Sequence, residues 1–479
     1  MAKTKIVSKP ILNEARLRQK LMPIRNFNVV ITENVLEFAR HKSYYIRTYG
    51  CQANIRDEEV LAGILERAGF RKTDAPSKAD FVLLNTCAVR ENAEDKVFGE
   101  LGVLKGLKTI NKKMIIAVSG CMSQQEHIID LILEKYPHVD IVLGTHNVDK
   151  ILELLDIHLR DQSRVIDVKS RPLEIVEKLP STRNSKYKAY VNISYGCDKF
   201  CTYCIVPYTR GQERSRPFEE IISECRELVE HGYQEITLLG QNVNSYGKDL
   251  QTGLSFAHLL EEVAALGIPR LRFLTSHPFD FSEDIIEAMK RHDNIMKYIH
   301  LPVQSGSDEI LKAMGRRYSR QQYLELVRKI RETLQEVAIS TDIIVGFPNE
   351  SEEQFLDTLD LVKQVKYESA FTFIYSPREG TPAAKLVDNI DKKTKSRRFQ
   401  ELTKALETTI AEASSNMIGK TYAVLVDGWS KKDKKVLSGY TASSKLLHFQ
   451  GTAEMIGKIV NVRVLDSHVY SLFGEVIDA

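Results

Sequence analysis

The chain has 479 residues, 43% hydrophobic and 27% charged, with a formal net charge of +3. Such values belong to a globular protein with ample core, and the length suggests about three domains. No apolar run nears the roughly 20 residues a membrane-spanning helix needs, which argues against such a helix; the mild charge by itself says little about nucleic acid.

The basic start, Met1-Ala2-Lys3-Thr4-Lys5, lacks the apolar stretch of a secretory signal. Seven cysteines with no disulfide-like pattern read as metal ligands in a reducing, cytoplasmic setting. Residues 1–42 form a basic leader with a helix-like piece at 12–21. The expectation is a mobile or surface-draped extension rather than a nucleic-acid arm.

From 43 to 160, strands and helices alternate, which predicts a doubly wound parallel sheet. Strands are expected at 45–49, 81–85, 114–119 and 141–143, the first three ending in Gly50-Cys51, Thr86-Cys87 and Gly120-Cys121. Ligands of such sheets sit beyond the carboxyl ends of the strands. One cysteine per βα turn therefore suggests a three-thiolate metal cluster on one rim; three buried structural thiols are the competing reading.

Residues 161–182 are polar and punctuated by Pro172 and Pro180, as expected of a linker. Six βα units follow in 183–413, with strands expected at 190–194, 235–239, 271–274, 298–301, 338–345 and 370–374. Six units suggest a partial relative of the eightfold barrel, whose carboxyl strand ends carry the chemistry. The first of these ends leads into Cys197-Asp198-Lys199-Phe200-Cys201-Thr202-Tyr203-Cys204, a C-x3-C-x2-C run. Three thiolates this close can hold an iron–sulfur cluster with one iron left open. Zinc is the weaker reading, because no second pair or nearby His completes a tetrahedron. Cys225 lies in a helical stretch and reads as structural.

This cysteine spacing is similar to that of radical S-adenosylmethionine (SAM) enzymes. A bound SAM would want a flat apolar neighbour for its adenine, for which Tyr203 is placed, and polar partners, for which Gln241, Ser276, Gln304 and Ser305 are candidates. Gly346 has no Cβ to keep its backbone from the adenine. His277 before Pro278 reads equally well as a structural loop histidine.

A helix at 391–414 opens with basic residues. Residues 416–479 carry five short strand signals, which predicts a small β-barrel of the oligonucleotide-binding kind. Lys431, Lys432, Lys434 and Lys435 crowd one loop, and Tyr440, His448 and Phe449 are candidate stacking faces for RNA.

From residue 43 onward the chain resembles the radical SAM methylthiotransferases, with their N-terminal methylthiotransferase domain, radical SAM core and TRAM domain. The resemblance rests on the order of the two cysteine triplets, on Val206-Pro207-Tyr208-Thr209-Arg210-Gly211 and on Gln241-Asn242-Val243-Asn244-Ser245-Tyr246-Gly247. Thr275-Ser276-His277-Pro278 and Leu301-Pro302-Val303-Gln304-Ser305-Gly306-Ser307 add to it. Within the family the chain looks most like the members that act on tRNA. The resemblance implies two 4Fe–4S clusters, one on Cys197, Cys201 and Cys204 and an auxiliary one on Cys51, Cys87 and Cys121.

It also implies two SAM molecules per turnover. The product would be the 2-methylthio derivative of N6-isopentenyladenosine at position 37 of tRNA. The implied partners are that tRNA and an electron donor such as flavodoxin or ferredoxin, with no membrane and a monomeric chain. A threonylcarbamoyl-adenosine or a ribosomal-protein aspartate are alternative substrates, and a non-catalytic RNA-binding iron–sulfur sensor is an alternative of another class. The leader and Asn349-Glu350, where the family often has Gly-Glu, depart from the pattern.

Overall fold

The computed structural model describes residues 3–19, 22–88 and 91–478. Lys20 and Leu21 of the expected leader helix lie outside the described residues, as do Met1, Ala2 and Ala479. The chain divides into two compact units, one of residues 1–184, 192–200 and 204–216, the other of 185–191, 201–203 and 217–479. Among the described residues no helix is long and apolar enough to cross a membrane.

The first unit is built on a seven-stranded sheet in the order Thr4–Ser8, Arg164–Asp167, Ile141–Leu143, Ile115–Gly120, Phe81–Thr86, Ser43–Tyr49, Arg71–Lys72. Every neighbouring pair is parallel. Side chains alternate faces along a strand, and both faces are covered here. Phe81, Leu83, Ile115, Ala117, Ile141 and Leu143 join one core with the helices Gln52–Arg67 and Ile151–Asp161. Val82, Leu84, Ile116, Val118 and Val142 join the other, with Val97, Leu101, Ile128 and Ile132. Burial on both sides is why these strands read as unbroken apolar runs.

Two expectations are corrected. The leader is not draped loosely: Thr4–Ser8 is an edge strand paired with Arg164–Asp167, and Ile24–Asn26 pairs with Ile175–Glu177. The expected linker at 161–182 therefore contributes two strands. Both were missed because Thr4–Ser8 is exposed along most of its length and its partner lies far along the chain. An exposed basic strand has the composition of a tail, and only non-local pairing makes it a strand.

The second unit carries the partial barrel as two three-stranded sheets. They are Lys188–Asn192, Glu235–Leu239, Arg270–Phe273 and Tyr298–His300, Ala338–Val345, Ser369–Ile374. The seam between them is stitched by a bridge from Leu271 to Ile295 and by Ser276 N–H donating to the His300 carbonyl at 3.2 Å. Cys225 is fully buried on the helix Phe218–Glu230, as expected of a structural residue. The helix Lys392–Ser415, capped by Asp391, leads to a closed five-stranded barrel.

That small barrel docks on the amino ends of the large barrel's strands. Arg270 donates to the carbonyls of Tyr440 and Thr441 at 2.8 Å each, and Lys445 donates to the Glu368 carbonyl at 3.0 Å. It thus occupies the end opposite the strand termini that carry chemistry in such folds. Phe449 lies in the small barrel's core and cannot stack on RNA; His448, next to it in the strand, faces the other way and meets the exposed ring of Phe473 at 5.4 Å.

Two candidate cysteine centres

The strands that lead to Cys51, Cys87 and Cys121 end at the same level, because Tyr49 pairs with Thr86 and Thr86 with Gly120, Cys51 standing one residue further on than the other two. The Cys87 N–H donates to the Tyr49 carbonyl at 2.9 Å. Gly120 makes the turn with a φ of +101°, and a Cβ there would stand 2.3 Å from the Thr86 carbonyl oxygen. Cys51 is exposed, whereas Cys87 and Cys121 are buried. A hydrogen bond with Cys87, aided by the charge of Arg210, pulls the Cys51 thiol down to about 6. Burial pushes the Cys121 thiol up, and Arg210 opposes it.

Arg210 comes from the segment that follows the second triplet. Its Nε donates to Cys121 Sγ at 3.0 Å, and its Nη2 stands 2.7 Å from Asp57 Oδ2. That ion pair lacks the alignment of a hydrogen bond, so Arg210 Nη2 and Asp57 Oδ2 are buried without a hydrogen-bond partner. Buried polar atoms rarely stay unpaired. Among the described residues no group of His, Cys, Asp or Glu is closed tightly enough for a single metal ion. Soft thiols with a cation on one of them fit a thiolate-bound, anionic iron–sulfur group.

The Cys197 N–H donates to the Gly211 carbonyl at 3.1 Å, and Ser194–Tyr195 pairs with Arg214–Ser215. The leader closes over this loop within the same unit. Ala15 packs with Cys121, Ile205 and Tyr208, and Gln19 and Gln212 exchange hydrogen bonds at 2.6 Å each. Cys201 belongs to the second unit, where Arg316 Nη1 donates to its sulfur at 3.4 Å. Tyr318 and the Pro302 carbonyl hold that guanidinium at 2.9 and 2.8 Å.

Of the expected SAM contacts, Tyr203 packs with Phe347, Tyr375 and Met314, an apolar plate. Ser276 is buried with its Oγ unpartnered. Gln304 sits at a φ of +75° with its backbone tied to Asp342 and Ile344. Gln241 is half-buried beyond Glu235–Leu239. Ser305 is fully buried, its hydroxyl lying between Thr358 and Ser307. The space over Gly346 is filled by the stem of Lys395, 2.7 Å from where a Cβ would be. His277 accepts from the Phe279 N–H at 3.2 Å and caps its own loop, a structural role. Asn349 keeps a φ of +68°, which asparagine tolerates as glycine does, so that departure preserves the turn.

Five residues of the site were given no role by the sequence reading. Arg210 was visible only as part of a fingerprint, and Asp57 and Arg316 carried no signal. Asn244 is buried with both amide atoms unpartnered, and Asn242 leaves its Oδ1 unpartnered; they lie beside Thr275, whose carbonyl accepts from the Val243 N–H at 3.1 Å. These idle groups beyond the strand ends fit a polar ligand.

Residues 191–362 match the radical SAM superfamily, residues 43–144 the uncharacterized protein family UPF0004 and residues 415–477 the TRAM domain. The chain is 50% identical over 480 residues to a tRNA-2-methylthio-N(6)-dimethylallyladenosine synthase of Geobacillus kaustophilus (strain HTA426), spanning 99% of this chain and 90% of that one. A protein of the same name from Bacillus subtilis (strain 168) is 50% identical over 469 residues, spanning 98% and 92%. Among solved structures, the radical S-adenosylmethionine methyltransferase TsrM from Kitasatospora setae, with cobalamin and a 4Fe-4S cluster bound, gives a TM-score of 0.52 at 14% identity. The match covers 72% of this chain and 77% of that one and is a likeness of fold.

Proposed function

The chain belongs to the tRNA-2-methylthio-N(6)-dimethylallyladenosine synthases, radical SAM methylthiotransferases, and from that premise we propose how its own residues divide the work. It converts N6-isopentenyladenosine in tRNA to the 2-methylthio derivative. In our reading, Cys197, Cys201 and Cys204 hold the cluster that binds SAM. Cys51, Cys87 and Cys121 hold a second cluster, and two SAM molecules serve each turnover. A one-electron donor of the flavodoxin or ferredoxin kind supplies the reductant to a monomeric, cytoplasmic enzyme. The observation that carries the second cluster is the register that ends the three adjacent strands leading to Cys51, Cys87 and Cys121 at one level.

When bound, these groups supply one-electron chemistry able to open an unactivated aromatic C–H bond, and the sulfur that replaces the hydrogen. The protein's part is to bind, orient and keep water out. Tyr203, with Phe347 and Tyr375 behind it, offers an apolar face for an adenine. Gln241, Ser276 and Gln304 offer polar groups, to which Asn242 and Asn244 add unpartnered amide atoms. Arg210 and Arg316 donate to one sulfur of each triplet and so fix its orientation. C2 of a stacked adenine is out of reach, so the target nucleotide must be splayed out. The small barrel, with His448, Phe473 and the lysines of 431–435, suits the RNA backbone and bases away from the reacting one.

Relatives at 50% identity over nearly the whole chain favour this reading over a protein aspartate, a threonylcarbamoyl-adenosine or a non-catalytic sensor. Nucleoside analysis of tRNA from a strain lacking the gene tests it. Isopentenyladenosine should accumulate and its 2-methylthio derivative vanish; an unchanged methylthio nucleoside would refute the substrate.

A further inference from the structure

Among the described residues each cysteine triplet has a buried guanidinium donating to one of its sulfurs, and the two guanidinium groups differ in whether a carboxylate is paired with them. Arg210 donates from Nε to Cys121 at 3.0 Å and carries a counter-charge, Asp57, at 2.7 Å from its Nη2. Arg316 donates from Nη1 to Cys201 at 3.4 Å, but its other partners are neutral oxygens, the Tyr318 hydroxyl and the Pro302 carbonyl. Among the described residues no carboxylate is paired with Arg316. Both guanidinium groups are buried.

Buried charge acts strongly, because the surroundings screen it poorly. Taking up one electron makes a cluster more negative by one charge. A lone cation beside it favours the reduced state, whereas a cation already paired to a carboxylate presents little more than a dipole. Cluster potentials answer to net charge and to hydrogen bonds on sulfur.

We propose that this asymmetry steers the incoming electron: Arg316 raises the potential of the cluster on Cys197, Cys201 and Cys204, while Asp57 cancels the same effect of Arg210 at Cys51, Cys87 and Cys121. The proposal rests on the two-cluster reading above. One electron leaves a low-potential one-electron donor, which is oxidised, and reduces the SAM-binding cluster; the residues make and break no bond. Both arginines are positioning residues, acting through a thiolate. The device would keep the sulfur-bearing cluster oxidised while the other is reduced.

The test is a redox titration with dithionite, followed by electron paramagnetic resonance, on the full reconstituted chain. Replacing all three cysteines of one triplet by Ala isolates the other cluster. Iron and sulfide matching one cluster in each such protein shows that the two-cluster reading stands; no iron on Cys51, Cys87 and Cys121 would end that reading and the proposal with it. With both clusters present, Asp57→Asn should raise the midpoint of the auxiliary cluster, because it frees the Arg210 charge. Arg316→Gln should lower the midpoint of the other, and Arg316→Lys should hold it near wild type. An Asp57→Asn midpoint that does not move, or moves down, overturns the proposal. If Arg316→Gln fails to fold, the near-isosteric Asp57→Asn still decides.

Discussion

Arg18 lays its guanidinium 4.6 Å from the centre of the Phe200 ring while its Nε donates to Asp198 at 2.7 Å. Both contacts tie the leader to the loop between Cys197 and Cys201. The ion pair is half-exposed and worth about 0–1 kcal/mol, and the cation–π contact adds about 0.5–1 kcal/mol. Arg18→Ala should therefore cost at most about 2 kcal/mol in a denaturant titration. Deleting residues 1–19 removes much more, since it also strips the edge strand Thr4–Ser8 and uncovers Cys121. Such a chain should lose iron to a chelator several-fold faster than wild type; equal rates would show that the leader plays no part in holding the clusters.

Cys87→Ala and Cys201→Ala separate the two triplets. With Cys87 gone, the reconstituted protein should still form 5′-deoxyadenosine from SAM and reductant but insert no sulfur into RNA. With Cys201 gone, both activities should be lost. Chromatography of the two products checks each, and 5′-deoxyadenosine from the Cys201 variant would contradict the ligand assignment.

Gly120→Ala should damage the auxiliary site without touching a sulfur. The position needs a left-handed φ, and the added Cβ would press on the Thr86 backbone at 2.3 Å. Backbone strain of this kind costs about 1–3 kcal/mol. The expected result is a lower unfolding midpoint together with less iron bound in a chain lacking Cys197, Cys201 and Cys204. Wild-type iron content there would mean that the turn is not needed to present Cys121.

Lys445 predicts a pH dependence. Burial pushes its ammonium down to about 8 from an ordinary 10.5, although Glu368 pulls it back. Between those values the folded chain has released a proton that the unfolded chain still holds, so rising pH stabilises the folded state. Relative to Lys445→Met, the wild type should gain stability from about pH 8 to 10.5, by at most about 1.4 kcal/mol per pH unit. Urea titrations of both proteins at several pH values measure it; a difference that stays flat or falls would show that Lys445 is not desolvated.

Much of this protein is written locally. Apolar runs bounded by Gly and Cys placed the strands at 81–86, 115–120 and 338–345 within a residue, because pattern and backbone hydrogen bonding share one period. The C-x3-C-x2-C spacing marks a candidate cluster by itself, since its three thiols cannot be far apart. His448 and Phe449 mark the limit of that kind of reading. Both are aromatic and adjacent, yet the strand turns one outward and buries the other, and only the closed barrel says which.

What the tertiary structure alone decided lies between residues remote in the chain. Thr4–Ser8 becomes a strand because Arg164–Asp167 offers it an unpaired edge. Cys121 and Arg210 stand 89 positions apart, and Cys201 and Arg316 stand 115 apart. Arg316 has a near neighbour in Tyr318, but its sulfur partner, like that of Arg210, is remote in the chain. The sequence by itself determined which atoms can ligate iron, a property of side-chain chemistry and spacing. Which charges lie on those atoms is a property of packing, because a charge acts through distance and burial rather than through order along the chain.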